Sequence, residues 1–376
     1  MNNSTLKKLL TEYENKRINA IQMADIRKKE LYLQYPDLQK IDDELNFLAI
    51  STAKSLINKN DPTLLEKFQE KINVLKNKKK QVLNSLGINE SYFLPKFECN
   101  ICKDTGYIVE GSNSIMCNCL KQKIFDLEYN KSNIYNIKNQ NFQNFNELFY
   151  SDKIDESKYH SDVSPRENIK LIKDICFSFI NNFEKAEEKN LLFTGNTGLG
   201  KTFLSSCIAN ELIKQRKTVL YQTAPVMLDT IIDYRFGKSN NSNILESILN
   251  VDLLIIDDLG TECVNNMKFT ELFNIINTRL LNQKNITKTI ISTNLSLQNL
   301  YNTYDERIVS RIIGSYDICY FFGEDIRFII KKWYSLHWNI IFYYFIFLVR
   351  YLYNFYFSHF YRFLFLQFSY QFRQFF

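Results

Sequence analysis

Residues Asn190–Gln215 read NLLFTGNTGLGKTFLSSCIANELIKQ, and the centre of that stretch, GNTGLGKT (Gly195–Thr202), decides the fold. In the pattern G-x-x-x-x-G-K-[ST] a glycine-rich loop curls its backbone N–H groups round the phosphates of a nucleoside triphosphate. Lys201 reaches the β- and γ-phosphates and Thr202 ligates Mg²⁺, while Asn196, Thr197, Gly198, Leu199 and Gly200 complete the cradle. The pattern needs a strand before it and a helix after it. NLLFTG reads as a short buried strand, and Phe203, Leu204, Ile208 and Leu212 recur at helical spacing beyond the loop. The helix N-terminus then turns its unpaired N–H groups and positive dipole end on the anion. The alternative, a chance glycine-rich turn, is a poor fit to a chain with only 10 glycines.

Further strands are predicted at KTVLYQT (217–223), VDLLIIDDLG (251–260), KTIISTN (288–294) and ICYFF (318–322). Helical patterns separate them, which predicts an α/β domain, a parallel sheet with helices on both faces. LLIIDD ends a buried strand in two acids. Asp257 would hold Mg²⁺, and Asp258 sits where a base orients the attacking water. Adjacent acids at a strand end are usually a solvated turn; the phosphate loop upstream gives these a use. Asn294 closes the next strand, where its amide can touch the γ-phosphate or the water. Arg307 and Arg311 lie four residues apart on one helical face, and either could serve a neighbouring subunit as a phosphate-neutralising finger or form an ordinary surface ion pair.

Upstream, FECNICKDTGYIVEGSNSIMCNCL pairs Cys99-x-x-Cys102 with Cys117-x-Cys119. Four thiolates in two knuckles suit tetrahedral Zn²⁺, and a module this small needs the metal to fold. Four plain reduced cysteines are the alternative, but the other four, Cys176, Cys207, Cys263 and Cys319, are scattered. An all-cysteine shell has no open position, so the site is read as structural.

The N-terminal region reads as helices. Leu6, Leu9, Leu10 and Tyr13 form one apolar stripe; Leu64, Leu65, Phe68, Ile72 and Leu75 form another, after a helix start at Asp61-Pro62. Stripes with no core of their own to fill suggest partner docking. The run Lys76–Lys80 could touch nucleic acid but reads better as a solvated helix face.

The 376 residues suggest about two or three domains, and 45% apolar content is ample for a buried core. The net charge of +6 is mostly a property of the C-terminal tail, where Lys331, Lys332, Arg350, Arg362 and Arg373 face no acid. Bulk charge is therefore no argument for a polyanion partner. The polar N-terminus lacks an apolar h-region, which predicts a cytoplasmic protein with no membrane role for its body.

Taken together, LLFTGNTGLGKTFLSSCIANEL, VDLLIIDDLGTE, ISTNLS, YDERIVSRI and FFGEDIR resemble the AAA+ ATPases of the DnaC/DnaI type, the bacterial replicative helicase loaders. The cysteine segment is similar to that of DnaI-like members. The resemblance implies a three-layer P-loop (ASCE) domain over 166–327, with the strand of Asn294 between those of Gly195 and Asp257. Before it come a helical partner-docking region (1–94), a four-cysteine zinc module (95–125) and a polar linker (126–165). It further implies a homo-oligomer that uses ATP and Mg²⁺ as a switch to place a replicative helicase on single-stranded DNA. By position, Lys201 and Thr202 match Walker A, Asp257 and Asp258 Walker B, Asn294 sensor 1 and Arg311 the arginine finger.

One departure stands out, since many AAA+ proteins have Glu where this chain has Asp258. The shorter arm predicts slow hydrolysis; Glu262 is a weak substitute. The insert APVMLDTIIDYRFGKSNN (224–241) falls where initiator-type members face DNA, with Arg235 and Lys238 as candidate phosphate contacts or as an ordinary solvated face. IstB-type transposition helpers share the ATPase motifs but typically have a short arm before them. A zinc-containing DNA-binding module with a vestigial ATPase is the third reading.

Residues 328–376 are rich in Phe and Tyr. The apolar run Ile340–Val349 stops at Arg350, short of the roughly twenty residues a spanning helix needs. A membrane-surface segment, with scattered Arg among aromatics, is one reading; the composition also matches out-of-frame AT-rich DNA, and on that favoured reading the tail is expected not to fold.

Overall fold

Runs of apolar residues become strands where both faces can be covered. Among the described residues the larger sheet is built from β3 (Asn190–Gly195), β4 (Val219–Thr223), β5 (Leu253–Leu259), β6 (Lys288–Thr293) and the partly exposed edge strand β7 (Tyr316–Phe321). β3 and β6 are buried at every position, as expected for the centre of a parallel sheet. The order is β4-β5-β6-β3-β7, all parallel, so the strand leading to Asn294 does lie between those of Gly195 and Asp257. The sheet with its flanking helices is the α/β arrangement expected of a P-loop domain.

The structure is a computed structural model describing residues 3–57, 62–129, 139–237, 244–263, 265–282 and 285–331. Lys238 and residues 332–376 of the tail lie outside the described residues. Two compact units emerge, 1–128 and 129–376.

In the second unit, α5 (Glu156–Tyr159) precedes α6 (Pro165–Asn181), which starts where it does because Ser164 and Glu167 form a reciprocal capping box and Pro165 fills the first turn. α7 (Lys201–Lys214) follows β3, and α8 (Ala224–Arg235) follows β4 directly. α9 (Ile244–Asn250) precedes β5, and α10 (Asn266–Leu280) comes before β6. α11 (Leu297–Thr303) and α12 (Glu306–Ser315) come before β7. The core joins Ile172, Phe179, Phe193, Leu204, Ile208 and Ile255.

Two expectations change here. Phe142 and Tyr150, inside the expected polar linker, are buried in this core, and the Tyr150 hydroxyl donates to Leu199 O at 2.9 Å. Their aromatic rings are diluted by Asn and charged neighbours, which hides them from a composition reading. β7 starts at Tyr316, not Ile318, because α12 runs into it without a turn.

In the first unit, α1 (Asn3–Gln34) and α2 (Pro36–Ile57) break at Pro36, and α3 (Pro62–Ser85) follows. Asp42, largely buried, accepts from Tyr32 Oη and from Lys79 Nζ, the latter at 2.6 Å, and so ties the three helices together. Lys79 thereby leaves the solvated face expected for the lysine run. The hairpin β1 (Tyr107–Glu110) and β2 (Asn113–Met116) leads into α4 (Asn118–Glu128). Leu9 and Tyr13 pack on Leu120 and Ile124, so the first apolar stripe has a core to fill after all. The helix that fills it is made from residues a hundred positions away, and no local pattern announces it.

Candidate functional site

The phosphate loop follows from its glycines. Gly195, Gly198 and Gly200 have φ of 134°, 74° and 89°, which side chains disfavour. A Cβ at Gly195 would strike the Phe321 carbonyl, and one at Gly198 the Asp325 carboxylate. Lys201, 7% exposed, folds over the loop and donates to Gly195 O at 2.5 Å and Asn196 O at 2.7 Å. Burial lowers its pKa, while Asp258 and then Asp257 oppose the shift, so the ammonium sits between a glycine cradle and two acids. That cradle fits a triphosphate: phosphate oxygens are stronger acceptors for the ammonium than the two carbonyls it now holds.

Thr202 Oγ1 lies 3.4 Å from Asp257 Oδ1, so the two expected Mg²⁺ ligands meet across α7 and β5. Thr202 and Asp257 would hold Mg²⁺, which would supply positive charge to offset that of the phosphates. Asp257 is 3% exposed and accepts from Tyr221 Oη at 2.8 Å and from Ser292 Oγ. Neither hydroxyl was singled out in the sequence; a polar residue interrupting an apolar strand beside the acids was the available signal.

Asp258 has a φ of 54° at an irregularity in β5, and its side chain is exposed. A non-glycine residue held there is strained, as at many functional sites. Partial desolvation of the carboxyl within an otherwise exposed residue, and then Asp257, raise it above the usual range, with Lys201 opposing. Glu262 instead accepts from Gly260 N at 2.9 Å and from the Tyr304 hydroxyl, so it braces the loop after β5 and is not a free base. Asn294 is exposed just past the end of β6.

The arginines separate. Arg307 is held by Asp305 at 2.9 Å and lies over the Phe273 ring, whereas Arg311 is exposed with no ion pair among the described residues. Arg235 is bonded to Glu271 at 3.0 Å, so this expected phosphate contact is already paired within the unit. Helix α8 turns Met227, Leu228 and Ile231 inward, and that orientation brings Arg235 against α10.

In the first unit, Cys99, Cys102, Cys117 and Cys119 place their Sγ atoms within 4.8 Å of one another. Sγ separations are 3.9 Å for Cys99–Cys117 and 3.5 Å for Cys102–Cys119. A tetrahedron with Zn–S bonds of about 2.3 Å has edges of about 3.8 Å, so the donor set fits zinc. Asp104 tightens the first knuckle by accepting from Cys99 N at 2.8 Å and Glu98 N at 3.0 Å. Cys119 packs against the cluster that contains Tyr13, the kind of outer contact that orients a thiolate ligand.

Residues 135–314 match the family described as IstB-like ATP binding protein. That stretch, just under half of the chain, is similar to the IstB-like ATP binding family. Over 124 residues the chain is 27% identical to the replicative helicase loader DnaC of Escherichia coli (strain K12), covering 33% of this chain and 49% of that protein. It is 26% identical over 168 residues to DnaC of Buchnera aphidicola subsp. Schizaphis graminum, covering 44% of this chain and 65% of that protein. The chain thus spans about half the length of the first curated relatives it matches. A crystal structure of the DnaC helicase loader is similar at 23% identity and a TM-score of 0.36, over 47% of this chain and 100% of that one. No helix among the described residues is long and apolar enough to cross a membrane. The resemblance to the DnaC type drawn from the sequence motifs agrees with these similarities to DnaC.

Proposed function

We propose that this protein is an ATP-switched helicase loader that binds a replicative helicase and places it on single-stranded DNA in the cytoplasm. The observation that carries the reading is the convergence of Lys201, Thr202, Asp257 and Asp258 on one glycine cradle, in a domain similar to DnaC. Lys201 and the loop hold ATP, Thr202 and Asp257 hold Mg²⁺, Asp258 orients the water, and Asn294 reads the γ-phosphate. The short arm of Asp258 makes hydrolysis slow, which suits a switch. Arg311, unlike the occupied Arg307, is available to reach a neighbouring copy, so activity belongs to a homo-oligomer. Residues 1–94 dock the helicase, the four cysteines hold a structural Zn²⁺, and 166–327 contact DNA through phosphates. The test is to mix the full chain, the replicative helicase of the source cell and a closed single-stranded DNA circle, and score helicase retained on the circle with and without ATP. ATP-dependent retention supports the reading; a helicase that never associates with the chain sinks it.

The match to the IstB-like family favours a second reading, a transposition helper that keeps the ATPase and changes the partner. Stimulation of a transposase in place of helicase retention would select it. A chain that binds DNA with no ATP turnover in any mixture would select the vestigial-ATPase reading.

A further inference from the structure

We propose that Tyr221 and Ser292 form a hydroxyl clamp that presets Asp257 for Mg²⁺ and, through Ser292, keeps Asp258 in register with it. The inference rests on the nucleotide-binding reading above and deepens it. The two hydroxyls come from β4 and β6, the strands on either side of β5. Each takes one oxygen of the carboxylate: Tyr221 Oη donates to Oδ2 at 2.8 Å and Ser292 Oγ donates to Oδ1. With Asp257 3% exposed, water does not compete for these oxygens, so the plane of the carboxyl group is set before any metal arrives.

Ser292 has a second task. Its proton is spent on Asp257, and its lone pairs accept Asp258 N at 3.2 Å. The same N–H also lies 3.2 Å from Asp257 Oδ1. These contacts anchor a residue whose φ of 54° is otherwise unfavourable, and so keep the Asp258 carboxylate aimed out of the sheet. One serine thereby links the metal-holding acid to the water-orienting acid. A tyrosine that only filled space among Leu and Ile would carry a buried hydroxyl with no reason to face this carboxylate.

Both are positioning residues, and the distinguishing readout is Mg²⁺ dependence. Binding of a fluorescent ATP analogue is titrated with Mg²⁺, and in EDTA, for the wild-type chain, Tyr221→Phe and Ser292→Ala, alongside turnover and the thermal midpoint. The clamp predicts a rise of about 10-fold or more in half-saturating Mg²⁺ for each variant, with binding in EDTA unchanged. Saturating Mg²⁺ should restore turnover in Tyr221→Phe but not in Ser292→Ala, which also releases Asp258. A variant with a lowered midpoint but wild-type Mg²⁺ half-saturation overturns the clamp, and either variant alone suffices if the other does not fold. Wild-type binding indifferent to Mg²⁺ overturns the clamp and the metal part of the nucleotide reading together, whereas Mg²⁺-dependent wild-type binding with unshifted variants overturns the clamp alone.

Discussion

The cysteine cluster and the phosphate loop are two candidate sites for a charged ligand, built by opposite means. Cys99, Cys102, Cys117 and Cys119 lie within a short segment supported by a hairpin, a few hydrogen bonds and one small apolar cluster of Leu9, Tyr13, Leu120 and Ile124. Lys201, Tyr221, Asp257 and Ser292 come from separate strands and a helix, assembled by a sheet whose central strands are fully buried. A site with little core of its own must draw its rigidity from the metal–ligand bonds. A site mounted on a packed sheet exists before its ligand does. Ligand removal should therefore unmake the first and leave the second standing.

The largest expected effect tests that contrast directly. Stripping Zn²⁺ from the full chain with a chelator should abolish hydrogen-exchange protection in 97–128, because structural zinc supplies about 10–16 kcal/mol in small thiolate modules. Protection in β3 and β6 should not change. A metal content near zero in reduced, freshly purified protein would remove the basis of the comparison.

Lys201→Ala comes next. Nucleotide binding should be lost, measured by equilibrium titration, while the sheet keeps its thermal midpoint because the lysine bonds only loop carbonyls. A fall in the midpoint comparable to that of a core truncation would show the loop is not mounted independently of its ligand.

Smaller still is Asp258→Asn, which should retain ATP and slow turnover by about 10²–10⁴-fold. Its carboxyl is raised by partial desolvation and by Asp257, so protonation on acidification occurs at a higher pH than for an ordinary aspartate. Turnover should accordingly fall as pH drops through that raised value, and the acidic limb should vanish in the Asn variant. Wild-type hydrolysis by Asp258→Asn would mean that another group is the base.

Arg235→Ala should have the smallest effect. Because Glu271 already holds Arg235, the salt slope of single-stranded DNA binding should change by less than the value of about 0.7 expected for one phosphate contact. A full contact's worth of change would mean that Arg235 leaves Glu271 to reach DNA.

Much of this was legible in the sequence because the chemistry is local. GNTGLGKT needs its glycines where φ is positive, LLIIDD needs its acids where a buried strand ends, and the paired cysteines need each other within one short loop. Those demands act over a few residues and leave spacing that can be read. The parallel sheet followed from apolar runs separated by helical periodicity. What only the tertiary structure decided are choices between residues of equal local promise. Arg307 and Arg311 differ because Asp305 and Phe273 hold the first. Glu262 is excluded as a base by Tyr304, distant in sequence. Leu9 and Tyr13 are covered by Leu120 and Ile124, and Phe142 and Tyr150 join a core built mostly from later residues. Tyr221 and Ser292 acquire a role only because β4 and β6 flank β5. Whether a side chain is occupied or available depends on what packs against it, and contacts between residues far apart in the chain leave no periodicity for a sequence to display.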